Sequence, residues 1–438
     1  MKKIFFVGIG GISMSSLADI SRLNGHTVAG YDWVKKDITE KLIQKGINIS
    51  YENLAENVEG YDLVVYTSAI PEDNPQLLHA LELNIPCVRR DKFLGELMLD
   101  YKYRIGVAGM HGKSTTTSMI SNIYLNTELD PTIVNGTEMD ELNGLYRLGS
   151  KEYFIFEACE YTDSFLAFYP TTAVVLNIEM DHPDYFHSMD HILDSFKKYI
   201  NIAGKSIVNL DCENVKKICD TNSITFGIIN PDVNYRSVNI SYKHGFACFD
   251  ILHDDEFFCY VELSVPGDHN IYNALASAAA AHQNGVNAEQ IAYGLSAFKG
   301  AKRRFEYKGM FNGVYLYEDY AHHPSEIKTT LTGIRKLGYN RVWCIFQPHT
   351  FSRTAELFDD FADSFSEADE VILVDIFAAR ETNQYGVTSK MLAEKIEGAV
   401  YCDSFESAAD HVKNNAAAGD IVVLMGAGDV NKIGDYLL

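Results

Sequence analysis

Ile105-Gly-Val-Ala-Gly-Met-His-Gly-Lys-Ser-Thr-Thr-Thr117 decides how this chain is read, because an apolar run ends in a glycine loop carrying one lysine and then a cluster of hydroxyls. Strand, glycine turn and helix in that order make a phosphate cradle. Gly109 and Gly112 let backbone N–H groups crowd round a polyphosphate, Lys113 can neutralise its β and γ oxygens, and Ser114 is placed to ligate the accompanying Mg²⁺. The spacing is the short form, G-x-x-G-K-[ST], since the residue five before Gly112 is Val107 and not the glycine of the usual loop. The plainer alternative is a glycine turn opening an ordinary helix.

Working outward, 438 residues exceed what one hydrophobic core usually serves, so roughly three domains are expected. A formal charge of −23 with no basic run argues against a nucleic-acid or anionic-membrane partner. Eight cysteines without a C-x-x-C pair indicate neither a zinc knuckle nor a disulfide framework and point to a reducing cytoplasm. Met-Lys-Lys and the apolar residues after it resemble a secretory signal, but a buried strand at 4–7, a tight turn at Gly8-Ile9-Gly10-Gly11 and a helix over 12–24 is the better reading.

The pattern predicts an α/β protein of three serial units, 1–98, 99–308 and 309–438. Strands are expected near 4–7, 27–31, 62–66 and 86–88 in the first unit, at 153–157 and 172–177 in the second, and at 314–317, 341–346, 370–374 and 421–425 in the third. An aromatic, β-branched stretch over 234–265 reads as a small antiparallel patch, followed by an alanine-rich helix at 270–282. The Gly8/Gly10/Gly11 turn is G-x-G-G, which supports a nucleotide diphosphate at a helix N-terminus without specifying a nicotinamide cofactor.

Glu157 and His182 close successive apolar runs, where a parallel sheet places its ligand groups, and can bind Mg²⁺ between phosphates. In Pro266-Gly-Asp-His-Asn-Ile-Tyr-Asn273 a glycine, an imidazole and two amides sit at a helix start; capping alone also explains Asp268 or Asn270. Arg303-Arg304 is either a solvated pair or a clamp on phosphates. Glu318-Asp-Tyr-Ala-His-His-Pro-Ser-Glu326 suggests a metal site, yet Pro324 and Glu326 also read as a helix start capped near His323. Gln347-Pro-His-Thr-Phe-Ser-Arg-Thr354 offers an arginine suited to a carboxylate.

Taken in order, Gly8-x-Gly-Gly11, Thr67-Ser-Ala-Ile70, Gly109-Met-His-Gly-Lys-Ser-Thr-Thr116, Glu157-Ala-Cys-Glu-Tyr161, Asp181-His-Pro-Asp-Tyr185, Gly267-Asp-His-Asn270, Arg303-Arg-Phe-Glu306 and the two C-terminal motifs resemble the Mur ligase family, in its alanine-adding branch. The resemblance implies an N-terminal Rossmann-like domain for UDP, a central P-loop ATPase-like domain and a C-terminal Rossmann-like domain that brings the amino acid. It implies an ATP- and Mg²⁺-dependent ligation of L-alanine to UDP-N-acetylmuramate, in peptidoglycan precursor synthesis, by a cytoplasmic monomer or weak homodimer.

The resemblance assigns residues as follows. Gly109, Met110, His111, Gly112, Lys113, Ser114 and Thr115 would surround the ATP phosphates, Ser114 and Glu157 ligating the first Mg²⁺ and His182 the second. Asn270 and Asn273 would face adenine, Arg304 the phosphates and Asp319 the ribose. Tyr320, His322 and Arg353 would form the alanine site, and Gly8, Gly10, Gly11, Asp32, Ser68 and Arg89 would handle the UDP-sugar. Met110 and Ser114 stand where the family commonly has threonines. Phe196 falls where later-acting ligases carry a carbamylated lysine, and Thr350 replaces an arginine of some alanine-adding enzymes. A recycling ligase that joins a tripeptide to the same UDP-sugar, or a non-catalytic nucleotide-binding paralogue, would share many of these motifs.

Overall fold

In the computed structural model, which describes residues 1–67, 69–142, 144–182, 185–379 and 381–438, the chain forms two compact units. The first comprises 1–108, 127–174 and 195–206; the second comprises 109–126, 175–194 and 207–438.

The first unit opens with a five-stranded parallel sheet. Its strands, in spatial order, are Asn48–Ser50, Thr27–Tyr31, Lys3–Val7, Leu63–Tyr66 and Cys87–Arg89. Phe5, Val7, Ala29, Val64 and Leu77 form a buried cluster on it, so the apolar start of the chain is a core strand. The glycine turn follows at once. Gly8 has φ +82°, and a Cβ on Gly10 would lie 2.7 Å from the Asp32 carboxylate, so the turn tolerates no side chain there. In the same unit Tyr103–Ala108 pairs in parallel with Tyr153–Glu157, which pairs with Thr132–Met139; Gly144–Arg147 returns antiparallel to the last.

Two sheets organise the second unit. Ile224–Gly227 pairs in parallel with Tyr235–Lys243, and Phe246–His253 and Glu256–Pro266 complete the antiparallel patch. The C-terminal sheet has six strands in the order Glu306–Phe311, Val314–Asp319, Ile421–Met425, Val342–Phe346, Glu370–Leu373 and Val400–Tyr401. All its pairs are parallel except the first. Val342, Cys344 and Phe346 join the core on one face while Trp343 and Ile345 join the core on the other, as a doubly covered sheet requires.

The helix Lys113–Leu125 is held by two others, His269–His282 and Ala288–Ala297. A Cβ on Gly294 would stand 2.5 Å from Ile123 Cα, and Asn122 Nδ2 donates to Gly294 O at 2.7 Å. His269–His282 meets the same helix through Ser277 Oγ, which donates to Thr116 O at 3.4 Å. The phosphate loop therefore rests on a rigid helical base.

Candidate active site

Gly112 caps the helix Lys113–Leu125 with φ +85°, a left-handed conformation that glycine adopts without strain. A Cβ there would meet Asn273 Oδ1 at 2.6 Å, and one on Gly109 (φ +143°) would meet Leu176 Cβ at 3.0 Å. Lys113 Nζ donates to Gly109 O and Met110 O at 2.5 and 3.1 Å. Asn177 brackets the loop. Its backbone O accepts from Met110 N–H at 3.2 Å, its Oδ1 from His111 N–H at 2.8 Å, and its Nδ2 donates to His111 O at 2.9 Å. Sequence reasoning gave Asn177 no role, and the signal available was an amide just past an apolar strand.

The amides of Asn270 and Asn273 are buried and linked: Asn273 Nδ2 donates to Asn270 Oδ1 at 3.0 Å and Asn273 Oδ1 accepts from Thr116 Oγ1 at 3.1 Å. Both line a cavity of about 230 Å³ whose wall also includes His111, Gly112, Thr115, Arg304 and Asp319. The Asp319 carboxylate accepts from the N–H groups of Phe305 and Ala321, each at 2.8 Å. Burial pushes its carboxyl up to about 6 despite Arg304 nearby. The guanidinium groups of Arg303 and Arg304 stand over the Tyr320 ring, 4.9 and 5.1 Å from its centre. Arg303 is otherwise committed to Glu318 at 2.5 Å and to the carbonyls of Gly426 and Gly428.

Pro324–Arg335 is a helix capped by His323, with Glu326 closing the capping box, so the motif rich in histidine is first a helix start. Glu326 does more than cap. It accepts from the N–H groups of His322 and His323 at 3.0 and 3.3 Å, and its other oxygen lies 3.0 Å from His111 Nδ1. Burial opposes charge on the His111 ring, yet Glu326 and Glu179 together push it up to about 9. Burial pushes His322 down to about 3 and His349 down to about 4, so both rings are neutral bases.

Arg353 is 6% exposed and its Nε and Nη2 both donate to Asp181 Oδ1, at 3.2 and 3.0 Å. Burial alone would raise the Asp181 carboxyl, but Arg353 holds it well below the usual carboxylate range. Thr350 caps the helix Phe351–Glu356 at φ +68°, a conformation rare for a β-branched residue, with its N–H donating to Phe377 O at 2.9 Å. Ser114 lies in the first turn of Lys113–Leu125, and His182, at φ +54°, follows Asp181.

In the first unit, Glu157 ends its strand with the carboxylate against Gly136, where a Cβ would be 2.4 Å from Oε2. Phe196 is fully buried and meets Phe165 edge-on at 5.2 Å. Asp32 accepts from Gly10 N–H at 2.8 Å and fixes the glycine turn, while Arg89 pairs with Asp91 through Nε at 3.0 Å. Ser68 lies outside the described residues.

Three family models match in series: the Mur ligase family catalytic domain over 3–102, the Mur ligase middle domain over 107–281 and the Mur ligase glutamate ligase domain over 303–428. Proteins named UDP-N-acetylmuramate–L-alanine ligase from Acetivibrio thermocellus and Clostridium novyi are each 47% identical to the chain; the alignments span 100% of it and 96% and 97% of the relatives. A solved UDP-N-acetylmuramate–alanine ligase of Thermotoga maritima superposes with a TM-score of 0.85 at 26% identity, covering 100% of this chain and 98% of that one. A murein peptide ligase of Psychrobacter arcticus gives 0.74 at 27% identity with the same coverage. With such identity along its whole length, the chain belongs to the Mur ligase family and has that family's three-domain α/β architecture.

Proposed function

We propose that this protein joins L-alanine to the lactyl carboxylate of UDP-N-acetylmuramate at the expense of ATP, giving UDP-N-acetylmuramoyl-L-alanine, ADP and phosphate. The observation that carries the reading is a cavity on which the phosphate loop, the Asn270–Asn273 amides, Arg304 and Asp319 converge. The relatives at 47% identity favour alanine over a tripeptide, as does the higher superposition on the alanine ligase than on the peptide ligase.

The residues fit ATP and Mg²⁺. Gly112, where a Cβ would strike Asn273 Oδ1 at 2.6 Å, keeps the loop tight at the N-terminus of a helix, whose dipole favours anions. Ser114 and Glu157 offer the hard oxygens Mg²⁺ prefers, and His182 supplies a ligand for a second ion. When bound, ATP supplies the phosphoryl group that activates the lactyl carboxylate as an acyl phosphate. Lys113 and Arg304 hold phosphate charge, Asp319 offers its remaining lone pairs to ribose hydroxyls, and Asn270 and Asn273 meet the adenine.

Around the amino acid, Arg353 attracts the carboxylate, and Tyr320 and His322 complete the pocket. His322 and His349 are neutral, so either ring can accept a hydrogen bond from the incoming amine. Gly8, Gly10, Gly11, Asp32, Ser68 and Arg89 serve the UDP-sugar, in a division of labour at 1–98, 99–308 and 309–438. The enzyme is cytoplasmic, a monomer or weak homodimer, and among the described residues no helix is long and apolar enough to cross a membrane.

Phosphate release from ATP tests this reading directly. It is expected only with UDP-N-acetylmuramate and L-alanine both present; release without the UDP-sugar refutes it. Glycine, L-serine and a murein tripeptide in the same assay rank the amino-acid site.

A further inference from the structure

Three donor atoms meet beside the phosphate loop. His111 on the loop, Glu179 beyond the strand Thr172–Val175 and His323 at the cap of Pro324–Arg335 each present one ligand atom, all within 4.8 Å of one another. His111 Nε2 stands 3.4 Å from Glu179 Oε2. That is close to the separation of two ligands on a tetrahedral ion with bonds of about 2.0–2.1 Å. His323 is 7% exposed, and its Nε2 is buried without a hydrogen-bond partner. A buried polar atom left in this way is where an ion or ordered water belongs.

The surroundings have the form of a metal centre's outer shell. His111 Nδ1 is 3.0 Å from Glu326 Oε1, the carboxylate–histidine arrangement that orients a ring whose other nitrogen binds metal. His323 Nδ1 is likewise held, 2.8 Å from Ser325 Oγ. Ser325 Oγ also lies 3.1 Å from His111 Nε2, so an ion at that nitrogen displaces the serine hydroxyl. Two imidazoles and a carboxylate suit Zn²⁺ and its neighbours, whereas Mg²⁺ prefers oxygen alone. His111 and Glu179 line the cavity wall, which gives an ion and a fourth, water ligand a way in.

We propose that His111 Nε2, a Glu179 carboxylate oxygen and His323 Nε2 form a binding site for a zinc-class divalent ion, separate from the Mg²⁺ ligands Ser114, Glu157 and His182. An ion there ties the phosphate loop to the cap of Pro324–Arg335 and gives free zinc a direct hold on that loop.

The full chain, with Mg²⁺ in excess to fill the phosphate-side positions, is titrated with Zn²⁺ by calorimetry and with Co²⁺ as an optical reporter of geometry. One tightly bound Zn²⁺ and a tetrahedral cobalt spectrum are expected. Glu179→Gln and His323→Asn should each weaken binding at least about tenfold. The asparagine keeps an acceptor at the helix cap, and Glu179, with a side chain 43% exposed, can be changed without disturbing the core. No bound zinc, an octahedral cobalt spectrum, or an affinity unchanged in either folded variant overturns the proposal. The readout is ion binding, so it stands or falls apart from the ligase reading.

Discussion

At the Arg353 guanidinium the main carboxylate partner is the protein's own. Asp181 takes Nε and Nη2, and Nη1 faces His349 Nδ1 at 3.4 Å. On the proposed reading of Arg353, Nη1 is the nitrogen left to meet an amino-acid carboxylate. Because both charges are buried, removing one strands the other; Asp181→Ala should cost about 3–5 kcal/mol, read from urea denaturation. Lys113 is the opposite case on the proposed reading, which gives the cation to the ligand more than to the fold. Lys113→Ala should lower phosphate release at least about 100-fold while calorimetry still detects UDP-N-acetylmuramate binding; loss of both would place the lysine in the structural core instead. His269 sets an acid limit. Burial holds its ring down to about 4, below the ordinary 6.5, so unfolding takes up a proton. Its contribution is full above pH 6.5 and disappears as pH falls toward 4, with a slope of up to about 1.4 kcal/mol per pH unit. His269→Gln should flatten the thermal-stability profile across that window by about one proton.

Among the elements, those carrying their own punctuation were legible. The strands Lys3–Val7, Thr27–Tyr31, Tyr153–Glu157 and Ile421–Met425 are apolar runs ended by glycine or a polar side chain, and each stands where the pattern placed it. The start of Pro324–Arg335 was readable because proline, glutamate and a capping side chain fall at fixed offsets. Asn48–Ser50 and Val400–Tyr401 were not, being too short for any period to show. The hairpin Thr132–Met139 with Gly144–Arg147 escaped because acidic residues and glycines interrupt its alternation. The phosphate loop lies between these cases: its glycines and lysine announce the chemistry, whereas Asn177, which brackets it, shows only as an amide just past an apolar strand. Gly112→Ala tests how far the loop is built around a missing side chain. A left-handed cap and a Cβ 2.6 Å from Asn273 Oδ1 should together cost about 1–3 kcal/mol, seen as a lower Tm, with loss of adenine-nucleotide binding.

At the scale of the molecule, ligand groups are gathered from distant stretches of chain. Asp181 and Arg353 are 172 positions apart, and His111 and Glu326 are 215 apart. Spacing within a motif predicts chemistry, but nothing local predicts which motifs meet, so the pairing of Asp181 with Arg353 was beyond sequence reasoning. The proposed division of substrates has a mass-action consequence that hydrogen exchange can map. UDP-N-acetylmuramate should protect amides near 8–11 and 32–36, an adenine nucleotide those near 109–116 and 269–273, and each should add about 2.7 kcal/mol at a hundred times its Kd. Protection of the phosphate loop by the UDP-sugar alone would contradict the assignment.

The bond from His111 to Glu326 also orders events during synthesis. The phosphate loop leaves the ribosome long before the residue that orients its imidazole, and nascent chains settle N-terminal segments first. A growing or truncated chain ending before residue 326 can build the glycine loop and the helix behind it, yet the imidazole lacks the carboxylate at its Nδ1. A chain that ends before residue 326 therefore carries the phosphate loop without the carboxylate that holds its imidazole.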